Sequence, residues 1–353
     1  MDAALDLWVE PANNVVIADA EGVVRFRNAG RIPHHPEPQR HGIATSTDPV
    51  GGWAGWVDLP RHEVAPEGQV VTANESRGSE SRLIGTTFAP QHRAQRLHAL
   101  LRGRDDLTLD DFEAFHNDTL NTAALGPARM IRDLTPGPAG AEVQATIVAW
   151  DGRMDADSAG AAAFAAWRSA LTRRLVAEPV FEELLDSGVH GAVFAPYLDL
   201  TASVGLALET IVAASAAGDP FGTDVRRLAT AALDDAAGHP PTWGATHVLG
   251  PTHAFDLGDE DLVAPPVPAV AVSGDIDCVR CTGSLPAITD ECYRGAVARY
   301  VWDLAGVSTS GWVVPMGASG DPRSIHHTDQ LEAWAGGRLL PIVTDWAGLI
   351  EER

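Results

Sequence analysis

Several groups of side chains in this chain are of types that do chemistry. Cys278-x-x-Cys281, with Cys292 beyond it, has thiol spacing seen in zinc and redox sites. A zinc ion there would need a fourth ligand such as His253; the other reading is three buried, reduced thiols. His326-His327-Thr328-Asp329 sets imidazoles beside a carboxylate, as a metal site or a triad does, and as a structural segment also does. His34, His35 and His41 crowd a Pro-rich loop, either as metal ligands or simply solvated. Ser319 in GASGD is not a nucleophile elbow, because Asp321 stands where the closing Gly belongs. Asn74 ends the run QVVTAN. A carboxamide there can steady a developing oxyanion, or it can end a strand by bonding local backbone. Arg93, further on, either serves such a site or is an exposed helix residue beside Arg96.

The elements that must position these groups run in the order β, helical, β. Asn14–Arg27 reads as a hairpin, two β-branched runs around Asp19-Ala20-Glu21-Gly22. Residues 28–56 are rich in Pro, Gly and His and show no period. Gln69–Ala73 reads as a short strand after Gly68. Thr108 and Asp111 make a capping-box pattern, with Leu109, Phe112 and Leu120 on the buried side. Ser158–Val176 carries Phe164, Trp167, Leu171 and Leu175 at helical spacing. Thr223 is expected to cap a helix that stops at Gly238. Ala202–Ala217 is apolar but too short for a bilayer and carries Glu209, so a buried helix is expected. Strands are expected over Pro268–Ser273, Ala298–Asp303, Gly311–Pro315 and Leu340–Thr344. The pattern is α+β with a helical insertion.

Composition sets limits on partners. A chain of 353 residues, 45% hydrophobic, can bury a core in one large or two smaller domains. Its net charge is -23 and all 25 basic residues are Arg. Such a chain repels nucleic-acid phosphates and anionic lipid surfaces, so neither nucleic acid nor membrane is expected as a partner. Met1–Glu10 has neither a basic start nor an apolar core, and reads as no signal peptide.

The stretch from Gly52 to Ser76, GWAGWVDLPRHEVAPEGQVVTANES, resembles a signature of the penicillin acylase family. So, in order, do NNVVIADAEGVVRF and its Gly30–Pro33 loop, FAPQHRAQRLHALL from Phe88, FEAFHNDTLNTAAL from Phe112, WDGRMDADSAGAAAF from Trp150, and GASGDPRSIHHTDQLEAWAGGRLLP from Gly317. His116 replaces the family's usual Gln, while Asp118 matches. SGDIDCVRCTG resembles a family segment that usually has Thr at position 278, which favours reduced thiols.

The resemblance implies a fold and a site. The fold is part of an N-terminal-nucleophile hydrolase αββα sandwich, one incomplete domain with a β-rich part over 1–100, a helical insertion over 101–250 and a β-rich end over 251–353. The activity is hydrolysis of N-acyl amides, such as β-lactam side chains or acyl-homoserine lactones. Asn74 matches the oxyanion donor and Arg93 the catalytic-site Arg. Trp53 and Trp56 flank the loop near the acyl pocket and either line it or pack in a core. The family's attacking Ser opens its β chain, so the resemblance implies a missing α chain and a missing front of the β chain as partners, and no turnover by this chain alone. The alternatives are a truncated, non-catalytic remnant that binds a ligand or partner, and a zinc protein built on the three Cys. No cofactor is implied. A structural calcium in the complete protein would meet Pro33, but its carboxylate ligands mostly lie upstream and a later acidic position is Arg82. Relatives are often periplasmic or secreted; the compartment of this chain is left open.

Overall fold

Two β-branched runs meet at Asp19–Val23, and the turn between them follows from the residues there. Asp19 Oδ1 accepts from Val23 N at 2.9 Å, and Gly22 takes φ +85°, a region open to a residue without Cβ. The strands that result, β1 (Asn13–Ala18) and β2 (Val24–Ala29), pair antiparallel with Asn14 opposite Asn28. The computed structural model describes residues 2–34, 55–184, 199–218, 220–251, 267–345 and 347. It divides into two compact units, Met1–Asp105 with Asp303–Val307, and Asp106–Trp302 with Ser308–Arg353.

The first unit holds α1 (Asp2–Leu5), the hairpin, β3 (Arg61–Val64), α2 (Ser81–Ile84) and α3 (His92–Leu101). The third strand of the sheet is β3, paired antiparallel with β2. Gln69–Ala73, expected as a strand, has no ladder. The sequence Arg-His-Glu-Val of β3 has no apolar alternation because three of its four side chains are exposed, so sequence pattern alone did not mark it. Behind the sheet, buried Arg27 is held by Asp6 at 2.7 Å and Asp2 at 3.3 Å.

The second unit opens with α4 (Leu109–His116). Its capping box forms as expected: Asp111 N donates to Thr108 Oγ1, and Thr108 N donates to Asp111 Oδ2 at 2.8 Å. Its inner face differs from the expectation. Phe115 is buried, Phe112 is 40% exposed, and Leu120 lies beyond the helix in a bridge with Arg153. Then come α5 (Leu125–Arg132), α6 (Pro138–Ala149) and α7 (Ala159–Val176), the last capped by Ser158. The expected buried helix over Ala202–Ala217 is two, α8 (Leu200–Leu206) and α9 (Leu208–Ala214), broken at Ala207. Gly205 there packs where an added Cβ would sit 3.0 Å from Pro286. Helix α10 (Val225–Asp235) is capped by Asp224, whose Oδ1 accepts from Arg227 N at 2.9 Å; Thr223 is buried instead.

Helix α7 is the axis of this unit. It packs against α6, α8 and α10, and Phe164, Trp167, Leu171 and Leu175 lie in one core with Ile131, Ile147, Leu233 and Trp243. Trp167 Nε1 donates to Ala229 O at 3.0 Å, so the indole's one polar group is satisfied inside the core.

Five short strands follow. β4 (Thr282–Leu285) and β5 (Thr289–Gly295) form a hairpin; β6 (Arg299–Val301), β7 (Gly311–Val313) and β8 (Leu340–Pro341) form a three-stranded antiparallel sheet, with α11 (Leu331–Gly336) between β7 and β8. The expected strand at Pro268–Ser273 is reduced to one bridge, Val248 with Ala271. Pro268 has no N–H to give a ladder. A second, smaller core gathers Leu249, Val272, Cys292, Val313, Leu331 and Trp334. Among the described residues no helix is long and apolar enough to cross a membrane.

Candidate active site

Asn74 is where the chain turns after the segment without a ladder. Its φ is +67°, a conformation that Asn tolerates better than most residues. The turn delivers Glu75 to a parallel bridge with Ala89, and Ala89 N donates to Asn74 O at 2.9 Å. Gln91 Nε2 then reaches Ser76 O at 2.8 Å just before α3 begins. The first turn of α3 carries Arg93, whose Nη2 donates to Ala73 O at 2.6 Å and to Asn74 Oδ1 at 3.1 Å. The sequence-predicted pair is therefore in contact.

That contact fixes the carboxamide. A guanidinium only donates, so the Asn74 atom facing it is the oxygen. The Asn74 NH2 is left without a hydrogen bond among the described residues, on an exposed side chain. It borders a cleft of about 410 Å³. Asn13, Asn14, Asn28, Thr72 and Thr87 supply polar walls, Phe26, Ile32, Ile84 and Phe88 supply apolar ones, and Glu75, Arg77 and Glu80 bring charge.

Side chains, rather than a strand ladder, hold Thr72–Asn74 in place. Asn28 Nδ2 donates to Asn14 Oδ1 at 2.5 Å, and Asn14 Nδ2 donates to Thr72 Oγ1 at 2.5 Å. The Glu75 carboxylate accepts from Ala73 N at 2.6 Å. Sequence reasoning missed Asn14, Asn28, Thr72 and Glu75. The available signal was a pair of Asn residues inside a β-branched hairpin, where Asn is disfavoured unless its amide has work to do.

The other candidates lie elsewhere. Trp56 is half exposed, with the Arg31 guanidinium 5.8 Å from its ring centre, and is not among the residues lining the Asn74 cleft. Trp53, His35, His41 and His253 lie outside the described residues. Pro33 bridges to Trp56. Among the described residues no three His, Cys, Asp or Glu side chains cluster as a metal site would require. His326 Nδ1 lies 2.5 Å from Asp329 Oδ2, and His327 Nδ1 lies 3.2 Å from Ser319 O. None of the three Cys is in a disulfide. Burial drives Cys278 well above its ordinary range and Cys292 up to about 11.

At the centre of the second unit, Arg168 Nη1 meets Asp275 Oδ2 at 2.5 Å, with both side chains buried. Burial pulls the guanidinium down, the Asp275 charge more than reverses that, and the Arg168 pKa sits above its ordinary value.

The arrangement of short antiparallel sheets and helices matches the α+β class of N-terminal-nucleophile hydrolases. A thermostable penicillin G acylase from Alcaligenes faecalis superposes with a TM-score of 0.54 over 96% of this chain and 68% of that one, at 14% identity. The chain belongs to the penicillin amidase family, whose sequence profile matches residues 1–351. The penicillin acylase 2 proenzyme of Pseudomonas sp. (strain SE83) is 30% identical over 358 residues, which is 98% of this chain and 46% of that protein. The chain thus spans less than half the length of that curated relative.

Proposed function

We propose that this chain forms part of an amidohydrolase that cleaves N-acyl amides, with the Asn74 carboxamide donating to the oxyanion and Arg93 aligning it. The reading is carried by one observation: Arg93 occupies the carbonyl end of Asn74 and leaves its NH2 free at the rim of a cleft. As an amide carbonyl is attacked, negative charge grows on its oxygen. A pre-aimed donor is then stabilising without having to reorganise. Arg93 also places positive potential behind the amide, which sharpens the Nδ2 dipole.

On this reading the attacking group belongs to polypeptide outside these 353 residues. The hydroxyls that line the cleft support this. Thr72 Oγ1 accepts from Asn14, and Ser81 Oγ accepts from Arg77 N at 2.5 Å. No His lines the cleft among the described residues, so none of these hydroxyls has an imidazole base beside it there. A free N-terminal residue combines nucleophile and base, because its α-amine has a pKa of about 8.

The test is hydrolysis of a chromogenic N-acyl amide by enzyme containing this chain. Asn74→Ala should lower kcat by roughly 10²–10³-fold, with thermal stability nearly unchanged. Arg93→Met should fall in the same direction by a smaller factor. Unaltered turnover in both variants would end the proposal.

A further inference from the structure

Among the described residues four arginines are buried: Arg27, Arg168, Arg280 and Arg299. The first two are matched by carboxylates, Arg27 by Asp6 and Asp2, and Arg168 by Asp275. The other two are not. Acidic residues outnumber arginines 48 to 25 in this chain, yet neither Arg280 nor Arg299 forms an ion pair among the described residues. Carboxylates hold Arg27 and Arg168 above the ordinary arginine range. Burial pulls Arg280 below it, with the Asp155 charge partly opposing, and burial followed by the Arg280 charge pushes Arg299 down to about 10. Both guanidiniums still carry their protons at neutral pH, so two like charges are buried together.

The two cations are held side by side. Arg299, the first residue of β6, donates from Nη1 to Trp334 O at 2.7 Å. Arg280, just before β4, donates from Nη2 to Ala335 O, the next carbonyl along α11. Both guanidiniums therefore end in the last turn of α11, where carbonyl dipoles favour positive charge. The face of Trp334 lies 4.6 Å from the Arg299 guanidinium carbon. These are partial charges, and they do not offset two whole ones. Arg280 Nε and Arg299 Nη2 are also shielded from solvent and meet no acceptor among the described residues.

We infer that Arg280 and Arg299 bind a small inorganic anion of halide size between them, through the N–H groups that the α11 carbonyls leave untaken. A buried charge without a counter-ion costs several kcal/mol, and one anion shared by two guanidiniums offsets both charges and their mutual repulsion. Enclosure sets the class of ligand. Arg280 is 7% and Arg299 3% exposed, so an organic acid with a chain behind its carboxylate has no exit. Arg280 leads into the β4–β5 hairpin, Arg299 opens β6, and both end on α11. The anion thus ties three elements of the second unit together, and its binding is read as stability.

Chloride and bromide are the probes, applied to the 353-residue chain dialysed into sodium gluconate, whose anion is too large for the site. Chloride replaces gluconate at constant ionic strength while thermal unfolding is followed by tryptophan fluorescence. The melting temperature should climb with the logarithm of chloride, by at least about 3 °C over about a hundredfold rise, because an ion that binds only the folded chain shifts unfolding by mass action. Arg280→Met and Arg299→Met should each flatten that slope, and Arg299→Lys should keep part of it. Arg77→Met, which removes a cation from the Asn74 cleft, should leave the slope unchanged. In crystals of the unsubstituted chain grown with bromide, an anomalous peak should lie between the two guanidiniums, which locates the ion even where a Met variant does not fold. Melting temperatures that do not distinguish chloride from gluconate, a slope that survives both Met variants, or crystals with only water between Arg280 and Arg299 would overturn the inference.

Discussion

Replacing Arg168 by Met removes the cation from the centre of the second unit while nearly preserving the volume of the side chain's stem. Asp275 is then left with Asn121 Nδ2 at 3.2 Å and Ile276 N at 2.8 Å as neutral donors. A fully buried carboxylate needs more than that, and breaking such a pair costs about 3–5 kcal/mol. Asp275→Asn strands the guanidinium instead and should cost a similar amount. The double variant leaves no buried charge. It should be more stable than the sum of the two losses predicts by at least about 1 kcal/mol, because the partners touch. Urea unfolding followed by tryptophan fluorescence gives all four corners of the cycle. Losses under about 1 kcal/mol in both single variants, or strict additivity, would refute the claim that this ion pair organises the core.

Three further perturbations address other parts of the structure. His247 is buried between Asp290 O at 2.5 Å and Thr282 Oγ1 at 3.1 Å, faces the charges of Asp275, Asp290 and Arg168, and is pushed below its ordinary 6.5, chiefly by burial. Its folded pKa is depressed, so the unfolded chain takes up the proton first; stability should fall as pH drops below about 6.5, and urea midpoints should fall less steeply in His247→Gln. Iodoacetamide at pH 8 should modify Cys281, which is only partly buried, while Cys278 and Cys292 react only after unfolding, as mass spectrometry of timed samples would show. Gly274→Ala should cost about 2–3 kcal/mol in thermal or urea unfolding, because φ is +107° there and a Cβ would run into the Arg280 carbonyl.

Long helices with strong apolar spacing were the most legible features of the sequence, while the cap expected at Thr223 falls one residue on, at Asp224. The apolar spacing through Leu175 marks α7, and Thr108 with Asp111 marks α4, because periodicity and a capping box are local signals. The β4–β5 hairpin was not legible. Its buried residues include Thr282, Gly283 and Ser284, small polar groups sheltered by tertiary packing rather than by hydrophobicity. The Asn74–Arg93 pair could be named from family likeness, but its geometry could not. The turn at Asn74, the bridge to Ala89 and the start of α3 bring the two together, and none of these has a signature in residue order.

Along α7, Ala161, Ala163, Ala165 and Ala170 are buried with Phe164, Trp167 and Leu171, so the helix is enclosed on nearly every side. Methyl groups at those four positions set how near the surrounding helices come. Trimming one to Gly should be tolerated at about 1 kcal/mol, whereas a Val or Leu there must force its neighbours outward at about 1–3 kcal/mol. Change at these sites is thus cheaper toward less bulk than toward more, and the girth of the helical half is held by these methyl groups.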